Sequence, residues 1–77
     1  MEIHLKLYSI LREKLAPETK GRAVIHLDEG ATLEDLLAKL DIRSRVVISV
    51  NDQYETDLSR RLKDGDEVKI FSSISGG

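Results

Sequence analysis

The chain has 77 residues, which suits one domain and leaves no room for a catalytic cleft between two domains. It contains no cysteine, so a disulfide, a thiolate nucleophile and a thiolate metal site within the chain are excluded. The 12 basic and 14 acidic residues give a formal charge of −2 and are interleaved along the sequence. This pattern is typical of a solvated surface and disfavours the one-sided basic face of a nucleic-acid-binding protein.

The hydropathy pattern bears on location. No segment is long and apolar enough to span a bilayer, and the first residues alternate where a signal peptide would be continuously apolar. We therefore expect a cytoplasmic protein that binds neither membranes nor nucleic acid.

The first elements in the chain are predicted to be a strand and a short helix. Alternation of apolar and polar residues over positions 2–8 predicts a strand with one apolar face. The apolar residues of that face are Ile3, Leu5 and Leu7. The segment that follows predicts a short helix ended by Pro17. Its buried side is predicted to carry Ile10, Leu11 and Leu15.

A second strand and the main helix come next. Alternation returns over positions 23–28, with Ile25 and Leu27 predicted to face inward and His26 outward. After a turn, Thr32 is predicted to N-cap a helix, with Asp35 in the reciprocal position of a capping box. The apolar stripe of this helix, at spacings i, i+3, i+4 and i+7, consists of Leu33, Leu36, Leu37 and Leu40.

The last part of the chain predicts three strands. The segment 45–55 reads as a strand entering a hairpin, because Asn51-Asp52 suits the positive backbone angles of a tight turn. The residues on one face of this strand are Val46, Ile48 and Val50. Leu58 and Leu62 are predicted to close one end of the core. After a turn at positions 64–66, the final strand is predicted to carry Val68 and Ile70 inward and Phe71 outward.

This order of elements predicts an α+β protein with a β-grasp, or ubiquitin-like, fold. The leucine stripe requires the helix to cover one face of a mixed five-stranded sheet, and the helical connection allows strands on either side of it to pair in parallel. We predict a β-grasp domain over residues 1–71 and a flexible tail over residues 72–77, which ends in Gly76-Gly77.

Several segments together resemble the MoaD/ThiS sulfur-carrier family. They are LYSILREKL, EGATLEDLLAKL, the VN of the third strand and LKDGDEVKIFSSISGG. The most specific part is DGDEV followed at the right distance by a terminal SGG. The length and the extra helix after the first strand resemble MoaD, the small subunit of molybdopterin synthase, more than the shorter carriers of the thiazole pathway.

The resemblance implies that Gly77 is the reactive residue. An ATP-dependent activating enzyme similar to MoeB or ThiF would adenylate its carboxylate, and a sulfur donor would convert it to a thiocarboxylate. That group would give sulfur to a pterin precursor held on a large subunit similar to MoaE. The chain itself would be a carrier without catalytic side chains and without a bound cofactor, since ATP is used by the activating partner.

The tail suits such chemistry on physical grounds. From Ser72 to Gly77 it can extend at most about 20 Å, which is enough to enter a partner's active site while the domain stays outside. Ser75 and Gly76 are predicted to thread a narrow tunnel, and the missing side chains of the two glycines leave the terminal carbonyl open to attack.

Partner binding is predicted for five residues. Phe71 on the outward face and Ile74 in the tail are candidate anchors, beside contacts from Tyr8 and Val47. Arg12 resembles a recurring position of the family.

Other polar residues receive structural or weaker interpretations. His4 and His26 could in principle hold zinc together with Glu2, but two exposed histidines lack the convergent third and fourth ligands of a zinc site, so we assign no metal site. Asp64 and Asp66 are interpreted as turn residues rather than as acid-base catalysts. Three cations that either steer an acidic partner or are simply solvated are Arg60, Arg61 and Lys63.

Alternatives remain open at this point. The chain could carry sulfur for thiazole, cysteine or thiolated-RNA synthesis, or be a ubiquitin-like modifier joined to protein lysines. A noncovalent β-grasp interaction module would tolerate loss of Gly76-Gly77. A self-contained enzyme is disfavoured, because no nucleophile and base converge in the pattern.

Overall fold

The computed structural model describes residues 1–72. Within that range the strands are β1 (Glu2–Leu7), β2 (Arg22–His26), β3 (Val46–Val50), β4 (Gln53–Glu55) and β5 (Glu67–Ser72). The α-helix is α1 (Leu33–Lys39), and two 3-10 segments span Ser9–Lys14 and Pro17–Thr19. None of the helices in these residues is long and apolar enough to cross a membrane.

The strands form one mixed sheet in the order β2-β1-β5-β3-β4. The central pair, β1 and β5, is parallel, whereas the other neighbouring pairs are antiparallel. Parallel strands need a long crossover connection, and here the chain between β1 and β5 includes α1. The predicted β-grasp fold is confirmed. β5 extends through Ser72, a residue that the sequence analysis assigned to the tail.

The helix and the sheet share one hydrophobic core. Leu33 and Leu36 of α1 are fully buried, while Leu37 and Leu40 are half-buried against the same cluster. The buried apolar residues of the sheet are Ile3, Leu5, Leu7, Ile48, Val50, Val68 and Ile70. These are the positions that period-two alternation predicted, so the inner face of the sheet is confirmed.

The capping box at the start of α1 is also confirmed. The backbone N–H of Asp35 donates to Thr32 Oγ1 over 3.2 Å, and the backbone N–H of Thr32 donates to Asp35 Oδ2 over 2.9 Å. This exchange satisfies two N–H groups that would otherwise lack partners at the helix start. It helps a helix of only seven residues to form.

Two predicted core residues are wrong. Ile10 is 67% exposed, because the segment after β1 is a 3-10 helix in which only Leu11 reaches the core. Leu58 is 40% exposed and lies in a turn whose geometry is fixed by Asp57 and Ser59. Leu62, predicted beside it, is buried as expected.

Candidate functional site

The predicted tail begins where the central strand ends. β5 is bordered by β1 on one side and β3 on the other, and Ser72 lies opposite Val46 at the start of β3. Phe71 lies opposite Val47, and the backbone N–H of Tyr8 donates to the carbonyl of Ile70 over 3.2 Å. The last residues of β5 are therefore held from both sides. We call Tyr8, Val47 and Phe71 the tail-root surface.

The tail-root surface lies on the outer face of the sheet, opposite α1. The rings of Tyr8 and Phe71 stack with centroids 4.2 Å apart and planes at 14°. Lys6 Nζ lies 4.8 Å from the centroid of the Tyr8 ring. Both rings are half-buried, and Val47 is 39% exposed. An aromatic pair contributes about 0.5 to 1.5 kcal/mol beyond its buried area, so the stack keeps Phe71 in place while leaving apolar surface open to a partner.

The structure brings together three of the predicted partner-binding residues and places a fourth nearby. Tyr8, Val47 and Phe71 form the tail-root surface, as defined above. Arg12 lies in the first 3-10 segment and lines, together with Tyr8, a cleft beside that surface. The remaining predicted site residues lie outside the described residues; they are Ile74, Ser75, Gly76 and Gly77.

The DGDEV motif fixes the start of β5. The buried Asp66 carboxylate accepts hydrogen bonds from the backbone N–H of Lys63 over 2.8 Å and from Asn51 Nδ2 over 2.9 Å. Asn51 Oδ1 in turn accepts from the backbone N–H of Glu67 over 2.9 Å. Asn51 and Asp52 have φ values of 51° and 67°, as the predicted hairpin turn requires. The motif thus ties β5 to the β3–β4 turn, which supports the turn interpretation of Asp66.

The histidines lie on the outer face, away from the tail root. His26 is opposite Glu2 and His4 is opposite Val24, and both histidines are exposed. The backbone N–H of Glu2 donates to Asp64 Oδ1 over 2.7 Å, so Asp64 also has a turn role. Within residues 1–72 no group of three or more His, Asp or Glu side chains could hold a metal ion.

The three cations predicted near positions 60–63 have separate local roles. Arg60 Nη1 lies 3.0 Å from Glu55 Oε1, and this hydrogen bond lowers the pKa of Glu55. Arg61 forms an isolated β-bridge to Thr32 through its backbone, and Lys63 belongs to the turn that Asp66 closes. None of them adjoins the tail-root surface in the sheet.

The sequence analysis missed a cluster of cations near Tyr8. Lys6 and Arg22 face each other across β1 and β2 on the outer face, and Lys20 lies in the turn before β2. Alternation in the two strands already points Lys6 and Arg22 outward. Only the register of the strand pair, however, reveals that they are neighbours.

Solved structures share the fold over nearly the whole chain. SAMP1, a small archaeal modifier protein of Haloferax volcanii, is 19% identical with a TM-score of 0.73, and the match covers 100% of both chains. A Pyrococcus furiosus protein assigned as molybdopterin converting factor subunit 1 is 24% identical with a TM-score of 0.77, covering 96% of this chain and 99% of that one.

A third structure contains a complex. It holds subunits 1 and 2 of the molybdopterin-converting factor from Helicobacter pylori; the matching chain is 20% identical with a TM-score of 0.67, and both chains are covered completely. No protein of curated function matches the sequence significantly.

At the level of sequence, the model of the ThiS family matches residues 5–77. The match includes β1 from Leu5 onward, α1, β5 and the residues beyond Ser72. It therefore covers both the sheet and the predicted tail. Together with the confirmed β-grasp fold, this match shows that the chain belongs to the ThiS family of small, ubiquitin-like sulfur-carrier proteins.

Proposed function

We propose that this protein carries sulfur as a thiocarboxylate on Gly77 and serves as the small subunit of a molybdopterin synthase. The observation that carries the proposal is the position of the tail root. The central strand β5, hydrogen-bonded on both sides, ends at Ser72 beside the apolar tail-root surface, and five residues ending in Gly76-Gly77 follow. Because β5 is hydrogen-bonded on both sides, it fixes the point at which the chain leaves the sheet, next to the surface on which a partner would dock.

The domain and the tail then have different tasks. The domain docks through the tail-root surface, where the stacked rings supply an apolar anchor. The tail carries the reacting atom, and the absence of side chains at Gly76 and Gly77 lets it pass through a narrow channel. Catalytic side chains come from the partners, because the same carrier must enter the active site of the activating enzyme and then that of the large subunit.

Three steps load sulfur onto Gly77. The Gly77 carboxylate attacks the α-phosphate of ATP on an activating enzyme, which releases pyrophosphate and leaves an acyl-adenylate. The terminal sulfur of a persulfide on the sulfur donor attacks the carbonyl, and AMP leaves. A thiol then cleaves the resulting sulfur–sulfur bond, which releases the Gly77 thiocarboxylate and leaves a disulfide on the donor side.

Sulfur delivery needs no side chain of this chain. The thiocarboxylate sulfur attacks an electrophilic carbon of the pterin precursor and displaces an oxygen leaving group, which departs with the electron pair of the broken carbon–oxygen bond. The product of this step is a thioester. Water hydrolyses that thioester, which restores the Gly77 carboxylate and leaves the sulfur on the product. The similarity to the Pyrococcus furiosus and Helicobacter pylori proteins supports the molybdopterin pathway and a large-subunit partner.

Intact-mass spectrometry tests this function. The purified protein is incubated with ATP, a persulfide donor and an activating enzyme from the same cell, and its mass is compared with that of a variant lacking Gly77. We expect the full chain alone to gain the mass of a sulfur atom that replaces an oxygen atom. If neither chain changes while a carrier of established activity is converted in the same mixture, the proposal is wrong.

The acceptor is tested in a second step. The thiocarboxylate form is mixed with a large subunit and pterin precursor, and we expect the sulfur to leave Gly77 only when both are present. If the sulfur stays on Gly77 in the presence of the pterin precursor but is transferred to a thiazole or RNA acceptor, the protein is assigned to that other pathway. Circular dichroism of the Gly77 deletion serves as control, because the deleted residue lies outside the β-grasp domain.

The similarity to SAMP1 favours a second candidate, a protein modifier. In that function the adenylated Gly77 carbonyl would be attacked by the Nζ amine of a lysine on a target protein, and an isopeptide bond would replace the bond to AMP. Peptide mass spectrometry of cells that express the tagged chain would find Gly77 remnants on lysines. Their absence, with the thiocarboxylate present, would exclude this candidate.

A further inference from the structure

A cleft of about 590 Å³ opens beside the tail-root surface, between the end of β1 and the connection to β2. All of its charged lining residues are cations, namely Lys6, Arg12, Lys20 and Arg22. Tyr8 also lines this cleft. In a chain with a formal charge of −2, this is a local reversal of sign.

The backbone builds this cleft. Lys6 and Arg22 are directly opposite each other in the β1–β2 pair, on the outer face. Gly21, with φ of 81°, packs so closely that an added Cβ would lie 2.5 Å from the Leu7 carbonyl oxygen and 3.0 Å from Arg12 Cγ. The Gly21 carbonyl accepts a hydrogen bond from the backbone N–H of Leu7 over 2.7 Å. The turn is thereby held against β1 and against the stem of Arg12.

The cations of the cleft form no ion pair with an acidic side chain within residues 1–72. The ion pairs in that range join Arg43 to Asp41, Arg60 to Glu55 and Lys69 to Asp52, and none involves a cation of the cleft. Within these residues, the charged or aromatic contact of the Lys6 ammonium is with the face of the Tyr8 ring. Like charges opposite each other in a strand pair are destabilising, so Lys6 and Arg22 are placed at a cost to the free domain.

We propose that the cleft binds an acidic segment of a partner protein and so orients the domain when the tail enters that partner. The cations of the cleft are complementary in charge to carboxylates. Tyr8 belongs both to the cleft and to the apolar tail-root surface, so the two are continuous. The opposite end of the sheet carries Glu2, Asp64, Asp66 and Glu67, which repel an extended polyanion. A partner with a short acidic segment next to an apolar patch therefore fits better than a nucleic acid.

This inference rests on the proposed function in one respect: it assumes that the protein bound in the cleft also binds the tail. NMR titration of the isotope-labelled full chain with a short oligo-glutamate peptide at low ionic strength tests it without ATP, activating enzyme or sulfur. We expect the backbone amides of Lys6, Arg12, Lys20 and Arg22 to shift together and the affinity to fall with added salt. Its outcome is independent of thiocarboxylate formation, so the two proposals can fail separately.

A matched pair of variants makes the test specific. Lys20→Glu with Arg22→Glu should weaken peptide binding by about tenfold or more, because it reverses two charges in the cleft. Arg61→Glu with Lys63→Glu makes the same change in net charge on exposed residues outside the cleft and should leave binding unchanged.

Three results would overturn the proposal. One is an equal loss of binding in both double variants, which would indicate attraction by net charge alone. Another is a set of shifted amides outside the cleft. The third is saturation of the cleft amides by inorganic phosphate or a single-stranded oligonucleotide at lower concentration than the peptide, which would assign the site to phosphate groups.

Discussion

The sharpest test of the structure is the substitution Gly21→Ala. Gly21 is buried and has φ of 81°, a conformation that costs a residue with a side chain about 1 to 2 kcal/mol. Its added Cβ would lie 2.5 Å from the Leu7 carbonyl oxygen, and β1 cannot easily shift because Leu7 is hydrogen-bonded to Gly21 itself. Steric strain of this kind adds about 1 to 3 kcal/mol, so we expect a total loss of about 2 to 5 kcal/mol.

Gly65→Ala is the matched control. Gly65 has φ of 87°, yet nothing lies within 4 Å of the position of an added Cβ, so only the backbone cost of about 1 to 2 kcal/mol remains. Urea denaturation would measure both free energies of unfolding, and each kcal/mol should lower Tm by about 4 to 8 °C in a domain of this size. Equal losses in the two variants would refute the close packing of Gly21 against Leu7.

The same pair has a functional readout. If the turn at Gly21 holds Arg12 and Lys20 around the cleft, Gly21→Ala should weaken binding of the oligo-glutamate peptide under conditions in which the variant is still folded. Gly65→Ala should bind the peptide as the unmodified chain does. Unchanged peptide binding by the folded Gly21→Ala variant would mean that the turn at Gly21 does not hold the residues of the cleft in place.

Three further predictions concern other contacts. Replacing Tyr8 and Phe71 by alanine, singly and together, should give a coupling free energy of about 0.5 to 1.5 kcal/mol in denaturation experiments, because the rings stack. Asp66→Ala should cost about 1 to 3 kcal/mol, since it leaves two partly buried donors without their acceptor. The Arg60 hydrogen bond lowers the pKa of Glu55 below 4.5, so its stabilising effect is complete above about pH 4.5 and is lost as the pH falls through the lowered pKa. Glu55→Gln should therefore lose less stability on acidification than the unmodified chain.

Each of these has a clear contrary outcome. Additive losses from the two ring substitutions would mean that the stack contributes no coupling. A loss for Asp66→Ala no larger than for the exposed Asp64→Ala would contradict the stabilising role of the hydrogen bonds to the buried Asp66 carboxylate. Parallel acid denaturation curves for the unmodified chain and Glu55→Gln would mean that the ion pair does not stabilise the fold.

The errors of the sequence analysis have a common physical origin. Ile10 and Leu58 are apolar and were assigned to the core, but each lies in a short non-α segment whose backbone direction is set by its neighbours. Period-two and period-3.6 patterns assign faces only where an element is long and regular. In Ser9–Lys14 the 3-10 geometry turns Leu11 inward and leaves Ile10 in solvent.

The sequence analysis named some of the residues that form the candidate site. Tyr8, Val47 and Phe71 were each predicted to bind a partner, and the structure places them on one surface. The sequence analysis did not identify the cations of the cleft, because charges that are interleaved in the sequence suggest an even distribution of charge over the surface. Lys6 and Arg22 are distant in the chain and become neighbours only through the antiparallel register of β1 and β2.

The sequence by itself determined the elements whose cause is local. Alternation defined the buried faces of β1 and β5, Thr32 and Asp35 capped α1, and Asn51-Asp52 formed the hairpin turn, because periodicity, capping and turn conformation depend on residues a few positions apart. Only the tertiary structure decided which strands are neighbours, and with them the stack at the tail root and the cation-lined cleft. Strand register is set by packing of the whole core against α1, so a surface composed of several strands cannot be inferred from any one of them.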